Sequence, residues 1–331
     1  MGRTVMDVPS PTSSTPDELP AAATADLPRA WHYGEFYGLR SLPQDKPLLV
    51  VHGNCQAEAV RVLMTSSPDA ACVGIRVPPV HELSADEVPF LERLLRRTAV
   101  LVAQPIADGY RDLPLGTAQV AAVAHDARTV IFPVFRYQGL FPFQAVFHHS
   151  EAGDPPVVPY HDLRTLLTAS GQRHLLPEPG PGQVQALSEW SIGQLRRREV
   201  AAGAVPVSDL IGSAGHRAAN VINHPGNPVL VGLARRLQEA LGCPVDAADP
   251  GRELLDSIHA PRRGDVLDAL GYDSGEATEG WVVNGEPVSD GSIVAAQLDW
   301  YAARPQVVAE ALDRCAEQLQ LLGADRVRTS G

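Results

Sequence analysis

The chain has 331 residues, 44% of them hydrophobic, with a formal net charge of −12 from 27 Lys+Arg against 39 Asp+Glu. That length and composition suit a folded, enzyme-sized body of one or two domains. The acidic balance argues against a general nucleic-acid binder and leaves room only for a local basic pocket.

Residues 1–27 are rich in Pro, Ser, Thr and Ala without periodicity and read as a disordered or loosely attached tail. From about residue 46 a βα pattern begins. "KPLLVVHG" predicts a strand and 56–66 a helix; "ACVGIRVPPV" predicts a second strand. "ADEVPFLERLLRRT" is a helix with apolar residues at 88, 91, 94 and 95, and "AVLVAQPI" and "RTVIFPVF" are two further strands. Short apolar strands alternating with helices predict an α/β core over 28–245, a parallel sheet with flanking helices. Beyond residue 150 the pattern turns helical, in "LRTLLTASG", in "QVQALSEWSIGQLRRREVAAG" and from about Pro228 to Leu241. Residues 243–300 are mixed, with turn signals at "NGEP" and "SDGS", and 304–323 reads as one amphipathic helix. Residues 246–331 are therefore expected to form a mixed and helical C-terminal extension packed on the core.

Ligands of parallel sheets bind beyond the carboxyl ends of the strands, so the residues at those ends carry the functional question. "GNCQ", Gly53 to Gln56, follows the first strand. A strand-to-helix turn exposes one side chain and aims helix N–H groups at it, so the Cys55 thiol is expected to ionise more easily than a free one. The plain alternative is a small buried hydrophobe in a Gly-rich turn. The layout matches the G-D-S opening block of the SGNH/GDSL hydrolases, with asparagine and cysteine in place of aspartate and serine. Gln104, directly after a strand in "LVAQPI", is placed either to donate to a developing oxyanion or to cap a loop. Arg136 sits among five aromatic residues in "HDARTVIFPVFRYQGLFPF", a setting for an adenine and phosphate ligand or for ordinary core. Eleven histidines compete for a general-base role, among them His52, His148, His149, His161 and His224. His224, in "VINHPGNP" at a helix entrance, is the one that could reach a thiol across the site. "QLRRRE", with Arg196, Arg197 and Arg198, is either a solvated face or a phosphate anchor.

The four cysteines (Cys55, Cys72, Cys243, Cys315) are far apart and form no C-x-x-C pair. Neither a metal site nor a disulfide scaffold is expected, and reduced thiols in a cytoplasmic protein are the simplest reading. There is no apolar run after a basic start, as in a signal peptide, and no 18-residue apolar stretch, so no membrane insertion is expected.

Four ordered segments together resemble the WcbI-type family of polysaccharide-biosynthesis acetyltransferases. They are "GNCQ", then "QPI" with Tyr110, then "IFPVFRYQGLFP", then "RRREVAAGAVPVSDLI" followed by "NHPGNPVL". The likeness runs from about 47 to 245, and "IHAPRRGDVLDALG" extends it. The resemblance implies an intracellular, coenzyme A-binding acyltransferase with an SGNH-like α/β core and helical additions. It assigns Gly53, Asn54, Cys55 and Gln56 to the catalytic and coenzyme-binding turn, and brings in Gln104, Arg136, Tyr137, Asn223 and His224. On this reading Cys55 is the nucleophile or lines the pantetheine end, and Gln56 and Gln104 stabilise the oxyanion. His224 is the base, and Arg136 holds phosphate with help from Arg196, Arg197 and Arg198. Gly53, Asn54, Tyr137 and Asn223 complete the cofactor contacts. The donor is acyl-CoA, and the acceptor a sugar or small-molecule hydroxyl or amine. A cysteine esterase or thioesterase and a non-catalytic coenzyme A-binding protein remain alternatives, and a homo-oligomer stays open.

Overall fold

Every residue of Leu48–His52 is buried, as a strand covered on both faces requires. In the computed structural model, which describes residues 26–149 and 151–324, two short helices precede it: α1 (Leu27–His32) and α2 (Gly34–Tyr37). The sheet and its helices then follow in alternation as β1 (Leu48–His52), α3 (Gln56–Met64), β2 (Val73–Ile75), α4 (Val88–Leu95), β3 (Thr98–Ala103), α5 (Thr117–Val123) and β4 (Arg128–Ile131). The four strands pair in parallel in the order β2-β1-β3-β4. The fold class is thus a parallel α/β sheet with flanking helices, as the sequence pattern predicts.

Side-chain alternation sends the two faces of the sheet into two separate cores. Leu49, Val51, Val100 and Val102 face one way, against Val60 and Leu63 of α3 and the aromatic residues Phe132, Phe135 and Phe141. Leu48, Val50, Leu101 and Ala103 face the other way, against Leu91 and Leu94 of α4 and Phe36 of α2. Glu87 is fully buried on that second side. It accepts a hydrogen bond from the Tyr37 hydroxyl and faces Arg29 at 3.4 Å, which ties α1 and α2 to the sheet.

One short antiparallel pairing, β5 (Gln144–Ala145) with β6 (His161–Asp162), leads into α6 (Leu163–Ala169) and the long α7 (Pro181–Ala202). After α8 (Leu210–Ala214), the strands β7 (Ala219–Val221) and β8 (His224–Pro225) form a tight antiparallel pair that opens α9 (Asn227–Ala240). Apolar residues Val229, Leu230, Leu233, Ala234 and Leu237 recur at helical spacing and place α9 beside α3. The last segment holds β9 (Ile258–His259), α10 (Gly264–Ala269), β10 (Trp281–Val283), β11 (Glu286–Val288), α11 (Asp290–Ala302), α12 (Pro305–Arg314) and α13 (Ala316–Leu321).

Particular elements differ from the sequence reading. The expected single helix over 304–323 is two helices, broken at Cys315, whose backbone leaves helical geometry. Residues 243–300, read as mixed, contain the β10–β11 hairpin and all but the last two residues of the thirteen-residue α11. That hairpin turns at Asn284 and Gly285, both at positive φ, the geometry that favours an Asn-Gly turn. The extension does not pack alone: Tyr301, Val308 and Leu312 share a core with Phe143, Leu166 and Leu187. The tail assigned to 1–27 lies, apart from its last two residues, outside the described residues. Among the described residues, no helix is long and apolar enough to cross a membrane, and no group of three or more His, Cys, Asp or Glu side chains is arranged to hold a metal ion.

Candidate active site

Cys55 stands at the N-cap of α3, three residues past the end of β1. The turn that holds it is braced from below. The Asn54 N–H donates to Gln104 Oε1 at 2.8 Å, and Asn54 Oδ1 accepts the Gln56 N–H at 2.9 Å. A Cβ on Gly53 would lie 2.6 Å from Gln104 Oε1, so the glycine is what lets the Gln104 side chain cross beneath the turn.

His224, first residue of β8, brings its Nε2 to 3.8 Å from Cys55 Sγ. Its Nδ1 lies 3.1 Å from the Leu255 carbonyl oxygen. A carbonyl can only accept, so Nδ1 carries the proton and the Nε2 lone pair faces the thiol. Burial pushes His224 down to about 4, the backbone bond to Leu255 only partly opposing it. The ring is therefore neutral and able to receive a proton at neutral pH.

The thiol contradicts its sequence-based expectation. Burial pushes Cys55 up to about 11, against the opposing pull of the Cys55 and Gln56 backbone N–H groups. Two amides at the start of a nine-residue helix do not offset the loss of water around the sulfur. The resting pair is thus neutral thiol and neutral imidazole, not a preformed thiolate.

The support behind His224 comes from a loop that sequence reasoning did not single out. Asn227 Oδ1 accepts the Leu254 N–H at 3.0 Å and its Nδ2 donates to the Arg252 carbonyl at 2.9 Å. Glu253 Oε1 receives the Asn227 N–H at 3.3 Å and Asn220 Nδ2 at 3.4 Å. These contacts pin the segment that presents the Leu255 carbonyl, and Leu255 itself sits at φ +54°, an uncommon conformation for leucine. Asn227 belongs to "NHPGNP", so the signal was in the motif; the role of Leu255 is a loop conformation and leaves no trace in residue type.

Several of the expected site residues are struts. Gln56 Nε2 donates to the carbonyls of Phe135 (3.0 Å) and Asn223 (2.7 Å), while its Oε1 accepts the Phe135 N–H (3.1 Å) and Gln104 Nε2 (3.0 Å). Both amide protons are committed, so the expected oxyanion role for Gln56 does not fit this geometry. Gln104 is 1% exposed and spends its bonds on Asn54 and Gln56, which places it beneath the turn and not at its mouth. Asn223 accepts the Tyr160 hydroxyl at 2.8 Å through its side chain. Tyr137, expected as a cofactor contact, is buried with its hydroxyl 2.8 Å from Ser188 Oγ, a core position. Together Gln56, Gln104 and Asn223 lock the ends of β1 and β3, the Phe135 segment and the β7–β8 turn into one frame. His52 points away, its Nε2 2.9 Å from the Leu115 carbonyl oxygen.

Arg136 opens to solvent in a concave cleft of about 490 Å³ that also involves Ile222, His148 and Trp190. Surrounding protein lowers its pKa through desolvation alone, and it forms no ion pair among the described residues. Arg198, likewise without an ion-pair partner there, is close enough for the two charges to repel and is also lowered by desolvation. Arg136 and Arg198, neither with an ion pair among the described residues, lie within reach of each other's charge, and Glu317 also lines the cleft. Arg197 adjoins Arg198, but Arg196 turns toward Asp209, away from this cleft, because successive helical residues fan around the axis. Of the three arginines expected to help Arg136, Arg196 thus lies off this cleft and Arg198 is the one whose charge Arg136 meets.

The fold and site together define an α/β protein with a cysteine–histidine pair at the carboxyl edge of a parallel sheet; the cleft that holds Arg136 includes Ile222, two residues before His224. The family model for "Polysaccharide biosynthesis enzyme WcbI" matches residues 48–246, more than half of the chain, and the chain belongs to that family of polysaccharide biosynthesis enzymes. It is similar in fold to a solved structure of WcbI, described as a novel polysaccharide biosynthesis enzyme in its native form without a disulfide bond between coenzyme A and a cysteine. The two are 19% identical, with a TM-score of 0.70, over 84% of this chain and 99% of that one. No curated protein matches the chain.

Proposed function

We propose that this enzyme is a coenzyme A-dependent acyltransferase whose centre is the Cys55–His224 pair. The observation that carries the reading is the 3.8 Å approach of Sγ to an Nε2 lone pair whose tautomer the Leu255 carbonyl sets. Nucleophile, base and orienting group are the parts of an activated thiol. The WcbI structure named with coenzyme A has the same fold, which supports a coenzyme A thioester as donor.

The residues fit such a donor. Arg136 and Arg198 offer positive charge without an ion pair for its phosphates, and Arg136 directly follows Phe135, which Gln56 ties to the Cys55 turn. His224 takes the thiol proton as Cys55 Sγ bonds to the acyl carbon and the coenzyme's carbon–sulfur bond breaks; the departing thiolate takes that proton. An acceptor hydroxyl then gives its proton to His224 while its oxygen attacks the Cys55 thioester, and Sγ leaves and is reprotonated. Because the thiol starts protonated, proton removal accompanies attack and does not precede it. With the Gln56 and Gln104 side-chain amides committed and the Gln56 backbone N–H given to Asn54 Oδ1, the Cys55 backbone N–H, which already favours negative charge on Sγ, is the donor offered to an oxyanion at the turn.

The raised thiol pKa favours one variant: His224 deprotonates the acceptor hydroxyl directly and Cys55 only lines the thioester end. Release of free coenzyme A thiol from acetyl-CoA, followed in wild type, Cys55→Ala and His224→Gln, tests the reading. Loss in both variants supports the acyl-enzyme, loss only in His224→Gln the direct route, and loss in neither contradicts acyl transfer at this pair.

A further inference from the structure

A thioester carbonyl that gains a fourth bond also gains negative charge on its oxygen, and the Cys55 turn offers that charge one backbone N–H. Oxyanions are held by donors fixed in advance, and the loss of one such donor costs about 100- to 1000-fold in rate. A second donor has to stand near Sγ, be held in one orientation and be free of other bonds.

Asn223 meets these conditions. It directly precedes His224, whose Nε2 stands 3.8 Å from Cys55 Sγ. Its carboxamide is joined to the thiol by a second path as well. Asn223 Oδ1 accepts the Tyr160 hydroxyl at 2.8 Å, and Tyr160 is close enough to Cys55 for their negative charges to repel. Burial and that nearby thiol raise the Tyr160 pKa, so the hydroxyl keeps its proton and stays a donor. Gln56 Nε2 holds the Asn223 backbone carbonyl at 2.7 Å, which fixes the main chain while Tyr160 fixes the side chain. With Oδ1 taken, Nδ2 is the end of the planar amide left over, and it forms no hydrogen bond among the described residues. Ile222 and His224 on either side are buried, whereas Asn223 is half-buried and open to a ligand. Asn54 also carries an uncommitted Nδ2, but its Oδ1 folds back on the Gln56 N–H within its own turn. Asn223 is carried by the same β7–β8 turn as the base.

We propose that Asn223 is a catalytic residue whose Nδ2 joins the Cys55 N–H in holding the oxyanion, and that Tyr160 is the positioning residue that orients its amide. The assignment rests on the acyl-transfer reading. As Sγ bonds to the acyl carbon, the carbonyl π pair moves onto oxygen, where Nδ2 meets it. The pair returns when the bond from carbon to the coenzyme sulfur breaks and the departing thiolate takes the proton from His224. Direct attack by an acceptor hydroxyl places the same charge on the same oxygen, so the role of Asn223 holds for both routes.

Substitutions at both residues, assayed with acetyl-CoA and with its dithioester analogue, test the proposal. Asn223→Asp keeps an oxygen for Tyr160 and removes the amide protons; Asn223→Ala removes them without adding a charge beside His224. Both should lower kcat for acetyl-CoA about 100-fold, while Kd for acetyl-CoA, read by calorimetry, is unchanged. Tyr160→Phe should give a smaller loss, again in kcat alone. In the dithioester analogue sulfur replaces the carbonyl oxygen and accepts hydrogen bonds poorly, so on that donor all three variants should approach the wild-type rate. Retained kcat in both Asn223 variants, a Kd that weakens in step with kcat, or equal losses on the two donors each overturns the assignment. A carbonyl-selective loss in Asn54→Asp alone does so too, since that variant keeps the bond to the Gln56 N–H. Failure of the acyl-transfer reading shows separately, as unchanged acetyl-CoA turnover in both Cys55→Ala and His224→Gln.

Discussion

Cys55 and His224 are 169 positions apart in the chain, yet their Sγ and Nε2 atoms stand 3.8 Å apart. The contact exists because α3 and α9 lie side by side and each helix starts directly after its own functional residue's turn. The pH dependence follows from the two environments. With His224 at about 4 and Cys55 at about 11, the rate constant kcat/KM for acetyl-CoA should be flat between about pH 5 and pH 10. An acid limb appears only where His224 becomes protonated. A pH-rate profile with a transition between about 6 and 9, the range of ordinary His and Cys, would contradict the resting state described above. Alkylation of Cys55 by iodoacetamide should likewise be slower than that of a free thiol near neutral pH.

Stability should fall on acidification. His161 and His224 are both pushed by burial from 6.5 to about 4. The unfolded chain titrates near the higher value, so between about 4 and 6.5 it binds more protons than the folded one. The stabilisation is complete above 6.5 and is lost as pH falls through that window. Each shift corresponds to about 3 kcal/mol at most. Urea unfolding at pH 7 and pH 4.5 should show the loss, and His161→Gln should reduce its slope without touching the His224 share.

Gln56 should matter for folding before it matters for chemistry. Gln56→Leu leaves the Phe135 N–H and carbonyl, the Asn223 carbonyl and a Gln104 proton without their partner. At about 1–3 kcal/mol for a buried unsatisfied group, the variant should lose roughly 3 kcal/mol or more in denaturant unfolding. An unchanged midpoint would mean that the frame does not depend on this amide.

Arg136→Ala and Arg198→Ala should each raise KM for acetyl-CoA about tenfold, the scale of a lost charge-assisted hydrogen bond, with kcat nearly unchanged. Acetyl-pantetheine, which lacks the phosphates, separates the causes: its turnover should be insensitive to both substitutions. Equal losses on the two substrates would move the phosphates away from this cleft.

Asn227→Ala tests the support behind the base. Releasing the 249–255 loop frees the Leu255 carbonyl, so the His224 ring should lose its fixed tautomer. ¹⁵N shifts of the imidazole should move from a single Nδ1–H form toward a mixture, and kcat should fall while acetyl-CoA binding holds. A fixed tautomer with reduced kcat would mean a different role for Asn227.

The sheet was legible because each strand is a short apolar run followed by a helix with clear periodicity, and the chemistry-bearing turn sits where that pattern places ligands. The C-terminal helices were harder to read. The single apolar stripe over 304–323 does not reveal the break at Cys315, and α11 has apolar residues on most sides, so periodicity says little there. At the site, residue type identified Cys55 and His224 as candidates but misjudged the amides. Gln56 and Gln104 look like oxyanion donors in a linear motif, and only the folded backbone shows that their hydrogen bonds are spent on loops. The direction of the thiol's shift was also beyond sequence, since a helix start is visible there and the depth of burial is not.

The central claim is that acyl transfer runs through the Cys55–His224 pair, and intact-mass analysis after mixing the protein with acetyl-CoA and no acceptor tests it most directly. The account predicts a single acetyl group, on the peptide carrying Cys55 and absent from Cys55→Ala, accumulating far more slowly in His224→Gln. An unmodified protein whose acetyl-CoA turnover survives both substitutions would contradict it.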